Sequence, residues 1–150
     1  MFGFVRTAAA VPKLKVADCD YNTEEILKII TQAVNKNINI VVFPELSITS
    51  YTCADLFMQT SLLEAAEKSL SKILCHTKNL DILISVGLPV NRDNMTFNCM
   101  AVIHKGKILG IVPKTYVPNY NEFYEKRWFA SADDVLSDEI KICSQTVPFG

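Results

Sequence analysis

Two charged residues of this sequence stand where chemistry is often done. Glu45 closes the apolar run INIVVFP, and Lys114 closes ILGIVP. Ligand sites in folds that mix strands and helices collect at strand ends. A carboxylate at an apolar rim has its ionised form disfavoured, which moves it toward the range useful to a general base. A fixed ammonium in a dry pocket stabilises an oxyanion. Taken singly, each has a plainer reading, as a rim glutamate paired with a cation or a surface lysine just past a strand. As a pair they describe a base and an oxyanion donor flanking one site.

Glu122 and Glu125 lie in TYVPNYNEFYEKRWF, among Tyr116, Tyr120, Phe123, Tyr124 and Trp128. Aromatic walls with a few carboxylates suit a small polar ligand, and equally an ordinary buried loop or an interface. The five cysteines, at 19, 53, 75, 99 and 143, are odd in number and contain no CxxC pair. They read as reduced thiols of a cytoplasmic protein rather than a disulfide framework. Cys75 and Cys99 fall on core positions and Cys53 near the proposed rim. Neither His76 nor His104 makes a Cys–His pair, so spacing alone singles out no nucleophile. No zinc spacing is present, and no metal is expected. GxGxxG, P-loop, GxSxG and HExxH patterns are all absent, so no glycine-rich cradle for nucleotide phosphates is expected.

The elements that must hold these residues follow from periodicity. Phe4 to Val11 reads as a buried strand ended by Pro12. Asp18 to Asn22 reads as a turn, and Thr23 starts a helix carrying Ile26, Ile29, Ile30, Ala33 and Val34. Ile38 to Phe43 is a strand covered on both faces. A second helix runs from about Thr60 to His76. Ile82 to Leu88 is a strand stopped by Pro89, with a turn at Asn91 to Asn94. Phe97 to His104 and Ile108 to Pro113 form a hairpin around Lys105-Gly106. Asp133 to Glu139 is an acidic solvated stretch, and VPFG looks like the start of a further element. The order β-α-β-α-β-β-β predicts an α/β fold with a mixed sheet covered by helices.

Composition agrees with a folded domain: 49% of residues are apolar and 21% charged. The mean hydropathy of +0.19 hints at surface that something else covers. A formal charge of −1 without a basic stripe argues against nucleic acid. The N-terminal apolar run is too short to span a bilayer and is broken by Arg6, which argues against a membrane anchor and a secretory signal despite Ala8-Ala9-Ala10.

The run VVFPELSITSYTCADLF resembles the glutamate motif of the nitrilase superfamily. Its YTCADLF tail is similar to the glutamine-dependent NAD synthetases in particular, as are GFVRTAAAVPKLKVADCDYN, PKTYVPNYNEFYEKRWF and the final VPFG. The resemblance runs in order along essentially the whole chain. It implies an αββα sandwich of which residues 1–150 form the N-terminal part, a partial carbon-nitrogen hydrolase domain. It implies a Glu–Lys–Cys triad, with Glu45 as general base and Lys114 at the tetrahedral oxyanion. Glu122 matches the second glutamate that orients the triad, with Glu125 a nearby alternative, and Tyr120 falls where the substrate L-glutamine is contacted. The implied reaction gives ammonia and a thioester, and the ammonia serves ATP-dependent amidation of deamido-NAD in a separate synthetase domain. ATP and deamido-NAD would bind that domain, so no cofactor is expected here. The family's nucleophilic cysteine lies beyond the VPFG segment, so these residues by themselves are expected to be inactive. Relatives assemble, and a homo-oligomer is expected. Two other readings stay open: a nitrilase-type amidase or carbamoylase for another small amide, and a non-catalytic self-associating module.

Overall fold

The computed structural model describes residues 3–150; Met1 and Phe2, at the start of the apolar N-terminal run, lie outside it. Strand β1 (Thr7–Ala9), helix α1 (Cys19–Asn35), strand β2 (Ile40–Val42) and helix α2 (Thr60–Thr77) come first. Three longer strands follow, β3 (Leu83–Arg92), β4 (Met95–His104) and β5 (Lys107–Pro113), and then β6 (Glu139–Ile142) and β7 (Gln145–Pro148). Strands β1 to β5 make one mixed sheet in chain order, parallel from β1 to β3 and antiparallel from β3 to β5. Strands β6 and β7 pair as a separate hairpin. The sequence reading lacked this hairpin, because its short strands follow an acidic stretch that masks their alternation.

One sheet face carries the core. Ile84, Val86, Leu88, Ala101 and Ile103 pack with Ile26 and Ile30 of α1 and with Leu62, Ala66, Leu70 and Ile73 of α2. Each such aliphatic side chain contributes roughly 1.5–3 kcal/mol when fully buried. The opposite face presents Val42, Ser85, Met100, Val102 and Val112 in adjacent rows. Val42 and Val112 there are 44% and 47% exposed. Asn98 and Lys114 stand at the end of those rows, joined by a bond from Lys114 N to Asn98 O at 2.8 Å.

Three boundaries differ from the sequence reading. Helix α1 begins at Cys19, four residues before Thr23, because the Asp18 carboxylate accepts from Tyr21 N at 3.0 Å and caps it. The N-terminal strand is short and at the sheet edge, and Phe4 and Val11 are exposed rather than buried. Strand β3 runs through Pro89 to Arg92. The backbone of Ser85 and Gly87 faces β2, since Phe43 N and Ile48 N donate to their carbonyls. Backbone direction alternates along a strand, so Pro89 also faces that side, where β2 has already ended and no ladder bond is lost.

The hairpins themselves turn on paired left-handed residues: Asp93-Asn94, Lys105-Gly106 and Cys143-Ser144 all have positive φ. That geometry matches the twist of the flanking strands. No helix among the described residues is long and apolar enough to cross a membrane.

Candidate active site

Glu45 is placed by a tight turn that leaves β2. Leu46 follows it at φ 52°, unusual for a bulky residue, and the turn closes through Ser47 N to Pro44 O and Thr49 N to Leu46 O. Gly87 of β3 supports the turn at very short range. A Cβ there would lie 2.4 Å from Leu46 N and 2.7 Å from Pro44 O, so only glycine lets the two backbones approach this closely. The Ser47 hydroxyl accepts from Gly87 N at 3.3 Å and fastens the contact.

Lys114 leaves β5 beside it. Its Nζ donates to Glu45 Oε1 at 2.9 Å and to both oxygens of Glu125, at 2.9 and 3.2 Å. Asn98 Nδ2 donates to the same Glu45 oxygen. Tyr51 O–H donates to Glu125 Oε1 at 2.5 Å. Glu125 is only 2% exposed, whereas the Lys114 and Glu45 side chains are 27% and 40% exposed. One ammonium therefore bridges a buried carboxylate and an accessible one. Both bonds to the Glu45 carboxylate fall on Oε1, and Oε2 has no hydrogen-bond partner among the described residues.

Burial alone would pull the Lys114 pKa down. The hydrogen bonds and charges of Glu45 and Glu125 outweigh it and hold the pKa above the ordinary lysine value. Tyr51 is also pushed well up, by burial and then by its bond to Glu125, so it acts as a protonated donor. Among the described residues, no group of three or more His, Cys, Asp or Glu is gathered to hold a metal ion.

Glu45, Lys114, Asn98, Cys99, Met100 and Val112 line a cleft of about 300 Å³. Lys114 also borders a larger open groove, about 940 Å³, with Tyr120 and Lys126 in its wall. Tyr120 is 64% exposed and packs edge-on to Phe123. Tyr120, which the sequence reading placed at the substrate, lines the groove that Lys114 borders.

Glu122 is a correction. It is exposed and, among the described residues, bonds to neither Lys114 nor Glu45. Glu125, the alternative that the sequence left open, is the glutamate that bonds to Lys114. The reason is local: Glu125 opens a 3-10 turn, Glu125–Arg127, anchored by its N–H to Pro118 O, which turns its side chain inward. Tyr51 and Asn98 were missed. Asn98, a lone amide inside the apolar strand FNCMAVI, was a readable signal; Tyr51 had none beyond its motif.

No cysteine of the described residues is poised at this cluster as a thiolate. Cys99 lines the cleft, but it is 3% exposed and burial pushes its pKa far up. Burial raises Cys19 to about 11, and raises Cys53 as well. Cys143 sits against Glu67 of α2, and burial raises it too. Cys75 borders a cavity at the Lys105-Gly106 turn, the opposite end of β5 from Lys114.

A mixed sheet with helices on one face defines a nitrilase-type fold, and beyond its strand ends a lysine is clamped between two glutamates. The chain belongs to the carbon-nitrogen hydrolase family, whose model matches residues 6–145. It is 40% identical over 125 residues to the glutamine-dependent NAD(+) synthetase of Aquifex aeolicus, covering 83% of this chain. It is 34% identical over 148 residues, 99% of this chain, to that of Mycobacterium leprae. The chain spans 22% of the length of each of these relatives. The crystal structure of a glutamine-dependent NAD(+) synthetase from Cytophaga hutchinsonii superposes with a TM-score of 0.90 at 31% identity. That match covers 97% of this chain and 25% of the other.

Proposed function

We propose that this chain forms the base-and-lysine part of a glutamine amidohydrolase centre whose ammonia amidates deamido-NAD in an ATP-dependent synthetase. The observation that carries this reading is Lys114 held between Glu45 and Glu125, with one lobe of Glu45 free. In the reaction, Glu45 takes the proton of a cysteine thiol, and the sulfur attacks the side-chain amide carbon of L-glutamine. Lys114 stabilises the oxyanion of the tetrahedral intermediate. Glu45 returns the proton to the leaving nitrogen, ammonia departs, and a thioester remains. Water, deprotonated by Glu45, then releases glutamate and regenerates the thiol. Glu125 and Tyr51 keep Lys114 aimed, and Tyr120 lines the approach of the substrate.

None of the five cysteines suits the nucleophile, and we assign that role to a residue outside this segment. Residues 1–150 are then a partial hydrolase domain and do not turn over glutamine alone. ATP and deamido-NAD bind a synthetase domain that is likewise outside it. The scattered thiols favour a cytoplasmic setting, and the apolar open sheet face favours a homo-oligomer.

Grafting this segment into the matching region of the Aquifex aeolicus relative tests the reading. NAD formation is measured with glutamine and, separately, with ammonium as nitrogen source. Glu45→Gln in the graft is expected to lower the glutamine-driven rate by about 10²–10⁴-fold, the contribution of a general base, and to leave the ammonium-driven rate unchanged. A graft that uses glutamine equally well with and without Glu45 would sink the proposal.

A further inference from the structure

The loop after β2 is tied twice to the turn that carries Glu125. One tie is the bond from Tyr51 to Glu125. The other lies at the surface, outside the Glu45–Lys114–Glu125 cluster. Asp55 Oδ1 accepts from Arg127 Nε at 2.7 Å and from Trp128 Nε1 at 2.9 Å, and its Oδ2 accepts from Arg127 Nη2 at 2.9 Å. Glu125 and Trp128 belong to one closed turn, because Trp128 N and Phe129 N both donate to Glu125 O at 2.9 Å. A displacement of the Trp128 end is therefore passed to Glu125. The indole is itself wedged, with its ring 5.0 Å from that of Tyr124 and 6.0 Å from that of Phe57.

The backbone aims both ties. Ser50, before Tyr51, has φ 73°, and Ala54, before Asp55, has φ 49°. Residues with a Cβ hold this region only where their surroundings over-determine it. The Asp55 and Arg127 side chains are 60% and 54% exposed, so the pair adds little to stability. Its two-pronged geometry, with a third donor from the indole, fixes orientation instead. Arg127 and then Trp128 hold the Asp55 carboxyl well below the usual carboxylate range, so the acceptor stays ionised.

We propose that Asp55, Arg127 and Trp128 form a positioning clasp that sets the Glu125 carboxylate against Lys114, an inference that rests on the preceding reading only for what the placement does in catalysis. Asp55 touches no reacting atom. It acts through the 125–128 turn, and with the clasp open Glu125 no longer holds both Lys114 and Tyr51.

Two signals in the intact chain report on this. Trp128 is the only tryptophan, so its emission reads the clasp directly. The pH titration of Lys114, followed by 13C NMR at its ε-carbon, reads the cluster. In Asp55→Asn, and again in Arg127→Gln should the first fold poorly, Trp128 emission is expected to shift. The Lys114 midpoint is expected to fall by about one unit, the size of one weakened carboxylate partner. Arg127→Lys, which keeps the charge but loses the two-pronged geometry, should fall between. Ile30→Val in the core loosens the fold elsewhere and should leave the Lys114 midpoint in place. A shifted Trp128 emission with an unmoved Lys114 midpoint overturns the proposal, and so does a midpoint that moves equally in Ile30→Val. A graft without glutamine turnover would leave these titrations as they are, so the two readings fail separately.

Discussion

The most consequential contacts in this molecule involve a handful of side chains. Lys114 is shared by Glu45 and Glu125, and only Glu125 is buried. Truncating Glu125 to alanine removes a buried partner and leaves Lys114 under-compensated, a loss of about 3 kcal/mol. Glu122→Ala, at the surface, should stay within about 0.5 kcal/mol. Urea denaturation of the two variants distinguishes them, and equal losses would reverse the assignment of the second glutamate. The pH dependence follows from the raised Lys114 value. Lys114 gains its partners on folding, so its contribution is complete below the unfolded lysine pKa, about 10.4. It is lost as pH rises through the higher folded value. The wild-type chain should therefore be more stable than Lys114→Met at pH 7 and lose that advantage in strong alkali. Glu45 and Lys114 were legible in the sequence because both stand directly after apolar runs. The choice between Glu122 and Glu125 was not, because an aromatic loop without a period gives no sign of which carboxylate turns inward.

At the scale of elements, the Glu45 turn depends on β3 as much as on its own residues. Gly87→Ala would drive a methyl group into the backbone of Pro44, Glu45 and Leu46, and overpacking of this kind costs about 1–3 kcal/mol. Gly110→Ala meets nothing closer than 3.8 Å and should be tolerated. A thermal shift for each variant checks the contrast, and a Gly87→Ala chain as stable as wild type would mean that the turn is not held by β3. The helices, β2 and the β4–β5 hairpin could be read from hydrophobic spacing and the Lys105-Gly106 turn. Pro89 misled, since its tolerance depends on where a neighbouring strand ends, which is a tertiary fact. The cap at Asp18 was readable in principle, but Thr23 with its two glutamates offered a competing start.

For the molecule as a whole, the two sheet faces differ. One is filled by α1 and α2; the other leaves Val42 and Val112 nearly half exposed beside the Lys114 cluster. Apolar surface of this kind binds hydrophobic dyes or partner chains. The native chain should therefore enhance the fluorescence of such a dye, and Val42→Glu with Val112→Glu should abolish most of that signal with little change in unfolding midpoint. Dye binding that survives the double variant would place the sticky surface elsewhere. The sequence hinted at this only through its high mean hydropathy, which cannot say which face is bare. The Lys114 cluster also has a temporal side. Its members, at positions 45, 51, 98, 114 and 125, come from distant places along the chain, and no short stretch contains two carboxylates and the lysine in their final geometry. During synthesis the grouping cannot exist until residue 125 has left the ribosome and β3 to β5 have paired. Its appearance would then time the closing of the 125–127 turn onto the loop after β2, ahead of the β6–β7 hairpin that follows it in the chain.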